Sequence, residues 1–231
     1  MKLSKLATVI TSAALAVFLL AGSVAVPILW RGFYYGQIDA LALPARTGYS
    51  HQVIEEAFDE VMDLLVLDAP FGTGRLPWSE SGRAHFADCQ RLFLLDFAAV
   101  IISAAALVVM VILIAAKRVR LYRFLGRGPC FWAFAGLGLL VVILAVWAAI
   151  DFTGLFTAFH TAFFPGKSNW IFDYRTDAII LILPLEFWMR AAALVAGLCF
   201  GVGWLLAAIE FFVLRRRPPR SVYEELKQGN I

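Results

Sequence analysis

The chain contains 231 residues, of which 61% are hydrophobic, whereas ordinary globular proteins contain roughly 45–50% apolar residues. Its mean hydropathy of +0.80 excludes a water-soluble domain of this length. The formal net charge of +3 is small, so the distribution of charge along the chain is more informative than its sum.

Four apolar stretches are long enough to cross a bilayer, which takes about 20 residues at a rise of about 1.5 Å each. They are residues 7–30, 92–116, 130–150 and 179–214. We therefore predict an all-α membrane protein with four transmembrane helices, forming a single integral membrane domain over residues 1–231. A cleavable signal peptide is the alternative for the first stretch, because Ser23-Val24-Ala25 resembles a cleavage site, but the length of the run favours retention.

Charged residues are distributed unevenly between the loops. Five basic residues and no acid follow the second stretch, namely Lys117, Arg118, Arg120, Arg123 and Arg127. Further arginines open the C-terminal tail, whereas the loop over residues 31–91 is rich in Asp and Glu. Because short loops rich in Lys and Arg stay in the cytoplasm, we predict cytoplasmic N- and C-termini and extracytoplasmic loops at residues 31–91 and 151–178. Binding of anionic lipid is a second interpretation of the basic clusters.

The first outer loop contains an amphipathic helix. Apolar residues recur at helical spacing after Ser50, and acidic residues fill the opposite side. The apolar positions are Val53, Ile54, Ala57, Phe58, Val61, Met62, Leu64 and Leu65. We interpret this helix as a scaffold or lid that packs on the membrane surface or against the other loop, with His51 solvated at its start.

The end of the first outer loop continues into the second span as one helix. A turn cluster at residues 68–74 precedes it, and Ser79 or Ser81 can cap it by accepting a hydrogen bond from a free backbone N–H. His85 and Asp88 lie three residues apart, so they share one helix face close to the hydrocarbon boundary. A carboxylate beside an imidazole can fix its tautomer and raise its basicity. We therefore expect Asp88 to orient His85.

The second outer loop combines an aromatic stripe with polar residues. His160 follows Phe156 by four residues within a helical stripe of phenylalanines, which is typical of a helix at the membrane interface. The stripe consists of Phe152, Phe156, Phe159 and Phe163. The polar candidates after the helix end at Pro165-Gly166 are Lys167, Ser168, Asn169, Trp170, Asp173 and Asp177. We expect Pro184 to begin the regular part of the fourth span.

His85 and His160 are the two histidines near the membrane on the predicted outer side. We interpret them as one shared site, because each is followed by polar groups that acyl transfer can use. A metal site built from both histidines, Asp88 and either Asp173 or Asp177 is an alternative. No compact ligand motif supports it, so we predict no metal.

The remaining polar residues of the spans have structural interpretations. Cys89, Cys130 and Cys199 lie at different predicted depths, so they cannot pair within one chain, and a nucleophilic thiol at Cys89 is a weak alternative. Glu186 precedes Arg190 by four residues, the favoured spacing for a local ion pair. We expect Glu210 to meet the arginine tail.

Three segments carry a family resemblance. They are GYSHQVIEEAFDEVMDLL at residues 48–65, HFADCQRLF at residues 85–93, and FHTAFFPGKSNWIFDYRTDAIILILP at residues 159–184. The chain resembles the bacterial lipoprotein intramolecular transacylase family, Lit. The family motif at the second span is similar to His-x-x-Asp-Val, which His85 and Asp88 match, whereas Cys89 replaces the valine and argues against a catalytic thiol.

The resemblance implies an acyltransferase that moves the sn-2 acyl chain of a diacylglyceryl-cysteine to its own α-amino group and forms a lyso-form lipoprotein. It implies His85 and His160 as the proton-transfer pair, with neither assigned as the base, and Asp88 as a supporting residue. The expected supporting or substrate-binding residues further along the chain are Lys167, Asn169, Trp170, Asp173 and Asp177. Lys167, Asn169 or the Trp170 indole would donate to the oxyanion.

The resemblance also implies partners and location. The partners are diacylglyceryl-modified lipoproteins and membrane lipid, with no nucleic acid and no cofactor, and the oligomeric state stays open. The site would lie on the extracytoplasmic face of the bacterial cytoplasmic membrane. The alternatives are a non-catalytic membrane scaffold and a membrane lipase or phospholipid acyltransferase.

Overall fold

The computed structural model describes residues 3–215, which form a helical protein. The elements in chain order are β1 (Leu3–Ser4), α1 (Lys5–Leu29), α2 (Arg31–Ala40), α3 (Leu43–Thr47), α4 (His51–Leu67), α5 (Glu80–Ala115), β2 (Arg120–Leu121), α6 (Pro129–Phe163), α7 (Ile179–Ile182) and α8 (Leu185–Arg215). The two short strands pair in parallel. The basic residues Lys2, Arg216, Arg217 and Arg220 lie outside the described residues.

Four helices of the described chain, α1, α5, α6 and α8, are long and apolar enough to cross a membrane. Large apolar side chains cover their outward faces, as at Ile101 and Val111, which are 68% and 64% exposed. Such a surface suits hydrocarbon, while the helical backbone satisfies its own hydrogen bonds. The predicted all-α membrane protein with four spanning helices is confirmed. Helix α1 packs against the other three, and a buried cluster of Leu15, Leu19, Ala133, Leu137 and Cys199 lies among α1, α6 and α8.

The long helices α5 and α6 extend beyond the predicted spans. Helix α5 starts at Glu80, and the Ser79 hydroxyl caps it by accepting from the backbone N of Gly82 at 3.0 Å, so the predicted continuous helix is present. Helix α6 reaches Phe163 but bends at Asp151, whose φ of −150° and ψ of 83° are not helical. The Asp151 carboxylate accepts from the backbone N of Gly154 at 2.8 Å, which caps the segment that follows. The predicted interfacial helix is therefore the bent end of α6.

The fourth apolar stretch is divided in two. Helix α7 ends at Ile182, and α8 begins at Leu185, directly after Pro184. Proline has no backbone N–H to donate, but its carbonyl accepts from the N of Phe187 at 2.9 Å. Pro184 thus stands at the start of the regular helix, as the sequence predicts.

Helices α2, α3, α4 and α7 form an outer cap over one end of the bundle. Its core contains fully buried side chains, which include Tyr34, Ile38, Leu43, Ile54, Val61, Ile179 and Ile182. The Tyr34 ring stacks on Phe58 with ring centroids 3.7 Å apart, and its hydroxyl donates to the carbonyl of Ile182 at 2.8 Å. This contact joins α2 to α7 and gives the buried hydroxyl its partner.

A charged cluster attaches α4 to α2. The Arg31 guanidinium donates to Asp59 at 3.0 Å and also to Asp63, and the Tyr35 hydroxyl donates to Asp59 at 2.6 Å. Burial and the hydrogen bond to Asp59 raise the pKa of Tyr35 to about 12, so its hydroxyl remains a donor. The amphipathic helix therefore buries its apolar side and uses part of its acidic side to bind α2.

The predicted ion pair between Glu186 and Arg190 is wrong. Glu186 accepts from Arg46 at 3.1 Å, and Arg190 donates to Gln37 at 2.8 Å. Both contacts connect the start of α8 to the outer cap, because residues from α2 and α3 lie within reach of these side chains.

Glu210 binds backbone groups of α6, while Arg216, Arg217 and Arg220 of the arginine tail predicted as its partner lie outside the described residues. Its two carboxylate oxygens accept from the backbone N of Cys130 at 3.2 Å and of Phe131 at 3.0 Å. The first N–H groups of a helix lack intrahelical partners and attract negative charge. Glu210 of α8 thus caps α6, which explains why an acid is tolerated near the membrane.

Candidate active site

His85 and His160 come from different spanning helices and meet at the end of the bundle that carries the outer cap. Their ring centroids are 5.9 Å apart. His85 is 5% exposed and His160 is 8% exposed. Burial favours a neutral imidazole, because the cationic form loses its hydration. Both rings are therefore available to accept a proton.

Hydrogen bonds distinguish the two rings. The Nδ1 atom of His160 lies 2.8 Å from the carbonyl oxygen of Phe156. A carbonyl only accepts, so Nδ1 carries the hydrogen and Nε2 of the neutral ring keeps its electron pair. In His85, Nε2 lies 3.3 Å from the Sγ of Cys89, while the buried Nδ1 has no partner among the described residues.

Aromatic side chains enclose the pair. Phe164 lies against both imidazoles, with its ring centroid 4.9 Å from that of His85 and 5.7 Å from that of His160. Phe172 lies 5.5 Å from His85, and Trp170 lies 4.8 Å from His160. These rings restrict water around the imidazoles and leave an apolar environment suited to an acyl ester.

Asp88 does not orient His85, contrary to expectation. Its Oδ1 accepts from the Lys167 ammonium at 2.5 Å, and its Oδ2 accepts from the side-chain amide of Asn169 at 3.1 Å. The three-residue spacing puts Asp88 on nearly the same helix face as His85, but the second outer loop supplies better donors. Asp88 therefore fastens that loop to α5.

These contacts also change the expected oxyanion donors. The Asn169 amide donates to Asp88, and the Trp170 indole N–H donates to the carbonyl of Lys167 at 3.1 Å. The single indole N–H of Trp170 is thus used within the protein, whereas the Asn169 amide keeps a second N–H. The Lys167 ammonium has three N–H bonds, so it keeps N–H groups for a ligand after it has bound Asp88.

Neither Asp177 nor Asp173 makes a hydrogen bond to His85 or His160 in the described structure. Asp177 is 4% exposed and accepts from the backbone N of Ser79 at 2.8 Å and from its hydroxyl at 2.9 Å. It also accepts from the Thr176 hydroxyl at 2.9 Å. Asp173 is exposed in a turn, where it accepts from the backbone N of Arg175 at 3.0 Å. We therefore assign Asp177 to holding the second loop at the start of α5 and Asp173 to the turn.

The alternative metal site is not assembled. Asp88 is engaged by Lys167 and Asn169, and Asp177 by Ser79. Within residues 3–215, no group of three or more His, Cys, Asp and Glu side chains is arranged to hold a metal ion. His51 lies away from the pair in sequence and contact, with its ring near Asp39 and Glu55 at the start of α4.

Sequence reasoning missed Phe164 and Phe172 as residues that line the site. Phe164 follows the end of α6, and Phe172 lies in an irregular loop. Hydrophobic periodicity identifies residues that share one face of a helix or strand. Phe164 and Phe172 lie outside such elements, so the phenylalanine stripe did not include them.

Comparison with known proteins places the chain in a family. The family model described as lipoprotein intramolecular transacylase Lit matches residues 9–188, well over half of the chain. The chain belongs to the Lit family. No protein with a curated function matches it. Lit proteins are membrane acyltransferases that act on lipoproteins, so the predicted enzyme class is confirmed.

Solved Lit structures share this fold. The membrane-integral lipoprotein intramolecular transacylase Lit from Bacillus cereus is 23% identical, with a TM-score of 0.82, covering 91% of this chain and 95% of that chain. A histidine-to-arginine variant of the same protein is 22% identical, covers 91% and 92% of the two chains, and has a TM-score of 0.75. A histidine-to-alanine variant is 22% identical, covers 91% and 93%, and has a TM-score of 0.76.

The structural assignment of Asp177 in this Lit chain predicts a stability effect. Asp177→Ala removes the acceptor that holds Ser79, and loss of such a capping contact costs about 0.5–2 kcal/mol. We expect the apparent Tm in detergent to fall by roughly 2–8 °C. Asp173→Ala is the matched control and should leave it unchanged. An unchanged Tm with lost transacylase activity in Asp177→Ala would return Asp177 to the substrate site.

Proposed function

We propose that this Lit chain moves the sn-2 acyl chain of a diacylglyceryl-cysteine to the α-amino group of the same cysteine, which leaves a lyso-form lipoprotein. The observation that carries the proposal is the pair of buried imidazoles, His85 and His160, with ring centroids 5.9 Å apart inside an aromatic enclosure. The family gives lipoprotein as the substrate and intramolecular transfer as the reaction. The site supplies proton-transfer groups where a membrane-anchored ester can reach them.

The proposed reaction conserves its protons. The neutral amine attacks the ester carbonyl carbon, so that a C–N bond forms while the bond from this carbon to the sn-2 oxygen breaks. The proton lost by nitrogen ends on the released sn-2 oxygen. No external donor or cofactor is needed, and an amine tethered beside its ester has a high effective concentration.

The two histidines divide the proton transfer. His160 is the better base, because its Nδ1–H is held by the carbonyl of Phe156 and its Nε2 keeps the electron pair. The proton that His160 takes from the amine then passes through Nδ1 of His85 to the released sn-2 oxygen, so that both imidazoles end neutral. An acyl-histidine intermediate is the alternative route, in which one imidazole attacks the ester before the amine does.

Two unpartnered buried atoms favour binding of an amine. Asn169 Oδ1 and His85 Nδ1 are buried without hydrogen-bond partners among the described residues. The hydrogen bond from the Asn169 amide to Asp88 fixes the direction of Oδ1. A buried polar atom without a partner costs about 1–3 kcal/mol, so an N–H donor from the substrate would relieve this cost. Lys167 remains available for the developing oxyanion.

The apolar stripe on α6 suits the acyl chains. Phe156 lies against His160 with ring centroids 4.1 Å apart, while Phe159 and Phe163 are 47% and 53% exposed. An ester held at the histidines would place its hydrocarbon along these rings, which lowers the exposed apolar area.

We also infer that the histidine end faces away from the cytoplasm, in the bacterial cytoplasmic membrane. The basic connection between α5 and α6 lies at the opposite end, together with the start of α1. There the Thr8 hydroxyl accepts from the backbone N of Tyr122 at 2.7 Å, and Lys5 lies over the Tyr122 ring. The positive charge at that end supports cytoplasmic N- and C-termini.

Alanine substitution at either histidine is the direct test. His85→Ala and His160→Ala should each reduce lyso-lipoprotein formation by about 10²–10⁴-fold, because a general acid–base group is lost. Mass spectrometry of lipoprotein N-termini from a host that expresses each variant measures the product. His51→Ala is the matched control and should stay active, since its side chain is 44% exposed at the start of α4.

Near-normal activity of either site variant at normal membrane expression would refute the paired-histidine mechanism. Full tolerance of both substitutions would favour the non-catalytic scaffold.

Cysteine labelling tests the orientation. Arg75→Cys should react with an impermeant maleimide on intact cells, because the Arg75 side chain is 75% exposed in the first outer loop. Arg118→Cys, in the basic connection, should react only after permeabilisation. The parent chain with its native cysteines gives the background, and the reverse pattern would overturn the assignment of sides.

A blocked substrate separates transfer from hydrolysis. A diacylglyceryl lipopeptide with an acetylated N-terminus should yield no N-acylated product, because the acceptor amine is missing. Adding a second lipopeptide with a free amine should not produce cross-labelling, since a separate amine lacks the effective concentration of a tethered one. Efficient cross-labelling would indicate an intermolecular acyltransferase, and rapid fatty-acid release would indicate a lipase.

A further inference from the structure

The end of the bundle opposite the histidines contains a cavity of about 310 Å³ beside the ends of α6 and α8. Arg123 and Arg127 line it from the connection between α5 and α6, and Arg215 lines it from the last position of α8. We propose that this cavity binds the headgroup of an anionic phospholipid. The proposal concerns a different face of the protein from the acyl-transfer site and does not rest on the function proposed there.

The cavity has an excess of positive charge. None of the three arginines takes part in an ion pair with another described residue. Glu210 also lines the cavity, but its two oxygens accept from the backbone N–H groups at the start of α6. Three guanidinium groups against one engaged carboxylate favour an anionic ligand, and guanidinium matches phosphate geometry.

Aromatic rings hold two of these guanidinium groups in place. Arg127 lies between Phe131 and Phe211, with its guanidinium carbon 5.0 Å and 5.1 Å from the two ring centroids. Arg215 lies over the Phe211 ring at 5.0 Å. Such cation–π contacts restrict the side chains before any ligand binds, so less conformational entropy is lost on binding. The cations are thus arranged around the cavity rather than spread over the surface.

Apolar residues in the same cavity favour a lipid over a free anion. Leu125, Ala207 and Leu214 line it together with the arginines. Leu125 is 89% exposed, and its φ of 49° is a left-handed conformation that few non-glycine residues adopt. Gly126 follows with a φ of 75°, so the connection turns sharply and projects the leucine outward. A phospholipid satisfies both features, with its phosphate on the arginines and its chains against the leucines.

The location gives the bound lipid a mechanical consequence. Arg127 precedes the start of α6 at Pro129, and Arg215 ends α8. A phosphate held by both would join the two helices, adding to the cap that Glu210 makes. Anything that binds the folded chain and not the unfolded one raises stability. Anionic lipid should therefore stabilise the membrane bundle.

Lipid nanodiscs provide the test on the full chain. The apparent Tm and the lipids retained through purification would be measured with phosphatidylcholine alone and with added phosphatidylglycerol. We expect phosphatidylglycerol to raise the Tm of the wild type and to be retained preferentially. The variant Arg127→Gln/Arg215→Gln should lose this preference, and Lys117→Gln/Arg118→Gln is the control with the same change in net charge outside the cavity. Because the cavity variant loses charge-assisted hydrogen bonds to the phosphate, it should bind phosphatidylglycerol at least about tenfold more weakly than the control variant.

Two further measurements keep the proposal falsifiable. Arg123→Gln changes an exposed side chain that makes no ion pair in the described structure, so it should weaken the lipid preference without unfolding the chain if the double variant proves unstable. Inorganic phosphate added to phosphatidylcholine discs should give no comparable rise in Tm. An equal rise with phosphate would indicate a site for free anions instead of lipid. Equal lipid preference in cavity and control variants would overturn the proposal, because the attraction would then be nonspecific.

Discussion

The attachment of the second outer loop to α5 is the constraint on which the histidine pair depends. In the middle of the loop, Lys167 and Asn169 donate to Asp88 of α5. At the end of the loop, Asp177 accepts from Ser79, which precedes α5. Between these two points the chain delivers Trp170 and Phe172 to the imidazoles. The chain between α6 and α7 is irregular, so these side-chain contacts fix its position against α5.

Enclosure of the site determines what its histidines can do. Two imidazoles surrounded by aromatic rings lose hydration, which favours their neutral form and strengthens the few polar contacts that remain. The carbonyl of Phe156 then selects the tautomer of His160, so the position of one hydrogen is decided by the turn of α6 that precedes it. Because α6 bends at Asp151, this turn leaves the line of the span and brings His160 to α5.

The two ends of the bundle use charge in opposite ways. At the histidine end, carboxylates of α4 and α5 bind neighbouring helices and loops, as when Asp59 accepts from Arg31 and Tyr35. At the opposite end, Glu210 caps α6. Its carboxylate is therefore engaged, and the arginines that line the cavity face it without an acidic partner among the described residues. Helix α6 connects the ends, from its cap beside the cavity to His160. The proposed lipid site at one end and the proposed acyl-transfer site at the other therefore share helix α6.

Local sequence determined the spans, their apolar faces, the cap at Ser79, the amphipathic helix after Ser50 and the family resemblance, because length, periodicity and capping chemistry depend on neighbouring residues. The sequence also singled out His85 and His160.

Only the tertiary structure decided which polar groups surround them. Asp88 is three residues from His85, yet it binds Lys167 and Asn169, which lie 79 and 81 residues away. Asp177 accepts from Ser79, and Glu186 pairs with Arg46 instead of Arg190. A side chain with several chemically suitable partners binds those that the folded backbone brings within about 3 Å, and sequence spacing does not encode that distance.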